Sequence, residues 1–348
     1  MTNEDLAPGP DMAAETWRAG RDRSRGGRWA LALIPLLTLA FVLYAVRLPY
    51  FVIGPGPAED VEPLIHVSGT TTYPSQGHLL LTSVTEQQAN AYDLLAAWID
   101  PASVVKSERE ILGPGVTQQQ EVQIARSEMD TSKIDASIVA LTGYAGYPKK
   151  HGRGALVEAV FPGTPADGKL SAGDVIVSID GQPVRSSDDV GKLITAAGSG
   201  RAMKFSVDGR PGGRTTVAVV ARFDAKLKRP IVGISTVPSF PFSLTIDSGD
   251  IGGPSAGLMW TLGLIDLLTP GDLTGGRKIA GTGVIGPDGK VYPIGGVQEK
   301  VVAAQRAGAV LFFSPRGNAA DARSVAHGIT VVAVGTYKDA LNYLQTHP

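Results

Sequence analysis

The first strong pattern along the chain is WALALIPLLTLAFVLYAV, Trp29 to Val46, 18 residues without a charge. At about 1.5 Å of rise per residue, a helix of that length just reaches across a bilayer's hydrocarbon core. Arg18, Arg21, Arg23, Arg25 and Arg28 precede it, and only Arg47 follows closely. That bias predicts one transmembrane helix over 28–47, with the N-terminus cytoplasmic and the bulk of the chain on the outer side of the cytoplasmic membrane. Trp29, Tyr44 and Tyr50 sit at its edges, as interfacial aromatics do. A cleaved signal peptide is the rival reading. It calls for a shorter apolar core and a small-x-small site, and YAVRLPYFVIGPGP offers no clear one. A buried globular helix would show a polar face. Residues 1–27, rich in Arg, Gly and polar residues, read as a disordered cytoplasmic tail.

Beyond the anchor the periods are those of a mixed fold. GHLLLTSVT (77–85) predicts a strand, and NAYDLLAAWID (90–100) a helix that ends before Pro101. The stretch 117–141 is helical in composition, with Val122, Ile124, Ile134, Ile138 and Leu141 as its apolar positions. From residue 154 the texture changes to short β-type runs broken by Pro-Gly, Asp-Gly and Ala-Gly. DVIVSIDGQPV reads as strand, Asp-Gly turn and return strand. SSDDVGKLITAAGSG reads as a helix capped by Ser186 or Ser187 and closed near Gly198. MKFSVDGRPGGRTTVAVV closes this unit with a hairpin. Further on, FPFSLTI (240–246) is extended, AGLMWTLGLIDLL (256–268) is apolar nearly all round and so predicts a buried helix, and 290–314 reads as strand, Gly295-Gly296 turn, helix, Gly308 stop, strand.

Composition narrows the function classes. With 348 residues the chain has room for two or three domains. A formal charge of −1 gives no electrostatic case for nucleic acid. The absence of cysteine excludes disulfides, thiolate metal sites and a cysteine nucleophile. His66, His78, His151, His327 and His347 form no HExxH or other close pair, which argues against zinc. There is no GDSGG.

Two residues carry candidate chemistry. Ser255, in SGDIGGPSAGLMW, sits where a glycine-rich loop meets a buried helix, among free N–H groups and a positive dipole end. Those features suit an oxyanion formed in acyl transfer, but serine is equally a favoured N-cap. In the helix after Gly296, the wheel places Val297, Val301 and Ala304 on one stripe, Lys300 just inside its edge, and Glu299 and Arg306 facing away. A lysine there either snorkels to water or is desolvated, with a lowered pKa that makes it a general base. A serine at a helix start and a buried lysine together form a nucleophile–base pair.

GGPSAG followed by GTGVIGPDGKVYPIGGVQEKVVAA (281–304) resembles the proteolytic domain of Lon-type peptidases (peptidase family S16). The resemblance covers roughly 226–348, with looser agreement in 60–140. It implies that Ser255 is the nucleophile, Lys300 its base and Thr282 a support for the lysine, with backbone N–H groups near Gly253 and Ser255 holding the oxyanion. No cofactor and no metal are expected. Gly252 departs from the family, which usually carries aspartate there. The run PGTPADGKLSAGDVIVSIDGQPV makes the middle unit resemble a bacterial PDZ domain, which binds an extended peptide or C-terminus at a sheet edge; a purely structural spacer is the alternative. Its carboxylate-binding loop is expected at LTGYAGY (141–147).

The expected fold is therefore α+β: a Lon-type proteolytic domain with an inserted PDZ domain, preceded by one N-terminal transmembrane helix. The divisions are 1–27 tail, 28–47 span, 48–140 N-terminal portion, 141–225 PDZ domain and 226–348 proteolytic domain. The whole arrangement resembles the membrane-anchored, PDZ-containing Lon-like proteases of bacteria. No GxxxxGK[ST] occurs, so the expectation is an ATP-independent serine endopeptidase acting on unfolded or flexible polypeptides. The resemblance also suggests a homo-oligomer, a hexameric ring. A PDZ-based adaptor or chaperone with an inactive protease fold is the alternative function.

Overall fold

The computed structural model describes residues 25–209 and 213–348, with side chains from residue 33 onward. Most of the expected tail, through residue 24, lies outside the described residues. The expected span forms the helix Arg25–Ala45, with Pro35 inside it. The transmembrane expectation is corrected to this extent: among the described residues no helix is long and apolar enough to cross a membrane.

One six-stranded sheet organises the site. Its order is Thr330–Val334, Leu311–Pro315, Lys278–Gly281, His78–Gln88, Tyr50–Asp60, Val104–Ser107. The first four are parallel neighbours, and the last two add antiparallel pairs. Segments before and after the inserted unit thus share one sheet. Because side chains alternate across a strand, the sheet has two apolar faces. Leu79, Leu81, Ile279, Leu311 and Phe313 pack under the helix Gly257–Leu268, together with the long helix Gln118–Tyr144. Leu80, Ala280 and Phe312 face the other way and cover Val297, Val301 and Ala304 of the helix Val297–Arg306.

The inserted unit has its own sheet, ordered Ile234–Pro238, Ala155–Val160, Val175–Ile179, Ala202–Asp208, Thr215–Val220. It continues past residue 225, since Ile234–Pro238 pairs antiparallel with Ala155–Val160. Its helix Ser187–Ala197 is capped by Ser186, whose N–H donates to the Asp189 carboxylate at 3.2 Å.

The long helix joins the two units. It begins at a Thr117 cap, where the Gln120 N–H donates to Thr117 Oγ1 at 3.3 Å. Its middle lies under the helix Gly257–Leu268, and its flank meets the strand Ala155–Val160. Gly257 permits that close approach: a Cβ there would lie 2.7 Å from Ile285 Cγ2 and 2.8 Å from Ser132 Oγ. At the junction, burial pushes the Asp135 carboxyl up from 3.8 to about 7, and the Glu158 charge adds to the shift.

Two outcomes follow from these contacts. Gly257→Ala forces the long helix and Ile285 apart and lowers stability by about 1–3 kcal/mol, read as a reduced urea midpoint. Asp135 binds its proton more tightly folded than unfolded, so its contribution to stability falls as pH rises from about 4 to about 7. Asp135→Asn removes that part of the fall in Tm, measured by thermal denaturation on both sides of the window.

Candidate active site

Ser255 does not cap the helix that follows it. Pro254–Ala256 form a 3-10 turn with Gly253 at its N-cap, and the α-helix starts only at Gly257. The hydroxyl faces Lys300, whose Nζ lies 2.6 Å from Ser255 Oγ. Lys300 is 3% exposed, so the snorkelling alternative fails. Burial lowers its pKa from 10.5 to about 8.

The serine and lysine helices lie on opposite faces of the sheet, and their side chains meet beyond one strand end. Lys278–Gly281 stops there, and Gly281-Thr282-Gly283 forms a clip. The Gly283 N–H donates to Ser255 O at 2.7 Å, the Leu258 N–H donates to Gly283 O at 3.0 Å, and Thr282 Oγ1 donates to Ser255 O at 3.0 Å. With its own proton spent on that carbonyl, the Thr282 hydroxyl accepts from Lys300 Nζ at 3.3 Å. One N–H of the amine is thereby fixed, which turns the rest of the group toward Ser255. Gly281 must be small, because a Cβ would lie 2.6 Å from Met259 Sδ. Thr82 Oγ1 donates to Gly281 O at 3.2 Å and ties the neighbouring strand to the clip.

Gly253 is placed differently from expectation. Its N–H donates to Ala125 O of the long helix at 2.7 Å, so it is not free for an oxyanion. Of the two donors expected, Ser255 N–H remains. The same helix explains Gly252, where a Cβ would lie 3.0 Å from Ala125 Cβ and an aspartate side chain would meet the helix. Ser132 donates to Pro254 O at 2.9 Å and fixes the residue before Ser255. Neither Ala125 nor Ser132 was legible as a site residue, because only the tertiary fold brings the long helix to this loop. Glu299 is buried rather than outward. Its Oε2 lies 3.6 Å from where a Gly296 Cβ would be, so the carboxylate folds back on the positive start of its helix. A cleft of about 660 Å³ opens on the pair, lined among others by Ser83, Val84, Asp247, Gly253 and Gly295.

A second groove, of about 930 Å³, runs between the helix Ser187–Ala197 and the outer strand Ile234–Pro238. Its closed end is the turn Val232-Gly233-Ile234. Gly233 has φ +85° and no room for a Cβ against Thr164. Phe161 N–H donates to Gly233 O at 3.0 Å and Ala166 N–H to Val232 O at 2.9 Å. The loop 141–147, expected to bind a carboxylate, lies elsewhere. It holds the far end of that strand, where Tyr147 Oη donates to Pro238 O at 2.7 Å. The expectation failed because the strand that forms the groove comes last in the unit's sequence, not first.

Residues 247–345 match the family model described as the Lon protease (S16) C-terminal proteolytic domain, and residues 114–219 match that of the PDZ domain. The Lon protease of Roseiflexus castenholzii is 49% identical over 73 residues, which cover 21% of this chain and 9% of that one. The mitochondrial Lon protease homolog of Ostreococcus lucimarinus is 27% identical over 226 residues, 63% of this chain and 23% of that one. The chain thus spans 9% and 23% of the length of these two curated relatives. The PDZ domain of the SdrC-like protein from Listeria monocytogenes is 28% identical, covering 25% of this chain and 90% of its own, with a TM-score of 0.22. The chain carries a Lon-type (S16) proteolytic domain and a PDZ domain.

Proposed function

We propose that the protein is a serine endopeptidase in which Ser255 and Lys300 form the catalytic dyad. The observation that carries this is the 2.6 Å contact between a serine hydroxyl and a lysine amine buried without a carboxylate hydrogen-bonded to it. In this reading Ser255 Oγ attacks the scissile carbonyl while neutral Lys300 takes its proton. Negative charge gathers on the carbonyl oxygen, to be met by the Ser255 N–H and the positive end of the 3-10 turn and helix. The protonated lysine gives its proton to the leaving amine, and the acyl group stays on Ser255. Water then attacks the ester, with Lys300 again as base, and the second product leaves. Thr282 keeps the amine aimed throughout.

The reading extends to substrate and place. An extended segment fits the outer strand Ile234–Pro238 by adding to the sheet edge, which suits unfolded or flexible polypeptides. This sequence holds no GxxxxGK[ST], so cleavage is proposed to need no ATP. Membrane attachment through 28–47, with the catalytic unit outside the cytoplasmic membrane, is proposed from the arginine bias and from the exposed Leu36, Leu37, Leu39 and Phe41.

Incubated with an unstructured protein and no nucleotide, the chain is expected to cleave it, and Ser255→Ala and Lys300→Ala are each expected to lose at least about a thousandfold in kcat. Turnover that survives both substitutions overturns the dyad. Binding of peptide tails with no turnover in the unmodified chain favours an adaptor instead. Because the base acts only when neutral, kcat/KM is expected to rise with pH and level off above about 8. A rate that falls across that range contradicts the assignment of Lys300.

A further inference from the structure

The helix Ala91–Ile99 is amphipathic in the wrong sense for a protein in water. It seats Ala97 on the fold, while the arc away from that contact carries Tyr92, Leu95, Trp98 and Ile99. At about 100° per residue these four span an arc of about 120°. Trp98 is 83% exposed and Ile99 70%, the largest exposures among the large hydrophobic side chains described. Exposed apolar patches of this kind mark contact surfaces.

Two observations choose the occupant. First, the arc is continuous with the exposed apolar side chains of the helix Arg25–Ala45, because Tyr92 Oη donates to Ala40 O at 3.4 Å. Ala40 lies five residues before the helix end, which puts the contact about 7–8 Å below it. Interfacial helices sit about 5–10 Å into the headgroup and acyl boundary. Second, the acids beside the arc are already held. Arg47 Nη1 pairs with Asp93 Oδ2 at 3.3 Å, and Asp100 accepts from the Ala102 N–H and the Ser103 hydroxyl. No unpaired carboxylate of this helix is turned toward the arc, and its tyrosine and tryptophan are the residues that favour a membrane interface.

We propose that Ala91–Ile99 lies in the outer leaflet of a phospholipid bilayer as a second, monotopic contact, fixing the orientation of the catalytic unit on the membrane. This rests on the reading of 28–47 as a membrane anchor. The chain has no cysteine, so single spin labels can be placed without background. The full chain, reconstituted in vesicles of equal parts phosphatidylethanolamine and phosphatidylglycerol, would carry a label at Leu95→Cys or Trp98→Cys. Leu37→Cys would report on the anchor and Lys226→Cys on the aqueous side. The expected result is several-fold higher collision with oxygen, and lower collision with a water-soluble nickel chelate, at 95, 98 and 37 than at 226. If 37 is in lipid but 95 and 98 meet the nickel chelate, the inference is overturned and the anchor stands. If 37 also meets it, both fail. Labels at 95 and 98 that are shielded from both reagents and broadened by a neighbouring label show a second copy of the chain there, which also overturns the inference.

Discussion

A buried amine is the constraint on which the site depends. Taking an ammonium out of water is costly, and the cost falls when the group gives up its proton. Lys300 has no hydrogen-bonded acid beside it; Ser255 and Thr282 are its partners. Each is neutral, so neither rescues the charged form as a carboxylate would. The fold therefore keeps the lysine near the point where it can be a base. The hydrophobic packing of Val297, Val301 and Ala304 is what holds the helix that carries the side chain in place.

That constraint explains the placement of the two helices. Serine and lysine come from opposite faces of one sheet and can touch only where a strand stops. Gly281-Thr282-Gly283 is that stop, and each of its residues has a reason. Gly281 clears Met259, Thr282 divides its hydroxyl between a carbonyl and the amine, and Gly283 locks the backbone of Ser255. The long helix reinforces the loop from behind. Ala125 takes the Gly253 N–H and Ser132 secures Pro254, so the loop before Ser255 is held by the same element that bears the inserted unit.

The sequence and the structure agree where the signal is local. A serine between glycines, a lysine on the apolar side of its helix, and a run such as AGLMWTLGLIDLL are each legible within a few residues. Ala125 is not, because alanine carries no chemical signature and its role is played by a backbone carbonyl. The burial of Glu299 escaped the wheel, since the strand carrying Val84 closes over a face that the helix alone leaves open. The groove beside the inserted unit's helix was misplaced because its strand, Ile234–Pro238, closes its sheet from the far end of the unit. The outward apolar arc of Ala91–Ile99 was invisible for a related reason: periodicity finds an apolar face but does not say which way it points.

The pairing of His78 with Lys278 has a consequence for synthesis. A ribosome releases the first strand long before its parallel neighbour exists, and the whole inserted unit must emerge between them. Closing so long a loop adds little to the equilibrium cost but delays the pairing. Ser255 is made before the strand end that locks it, and Lys300 comes later still. A nascent chain therefore carries the Ser255 hydroxyl without the clip or the amine, and the two groups can meet only after Lys300 has been made.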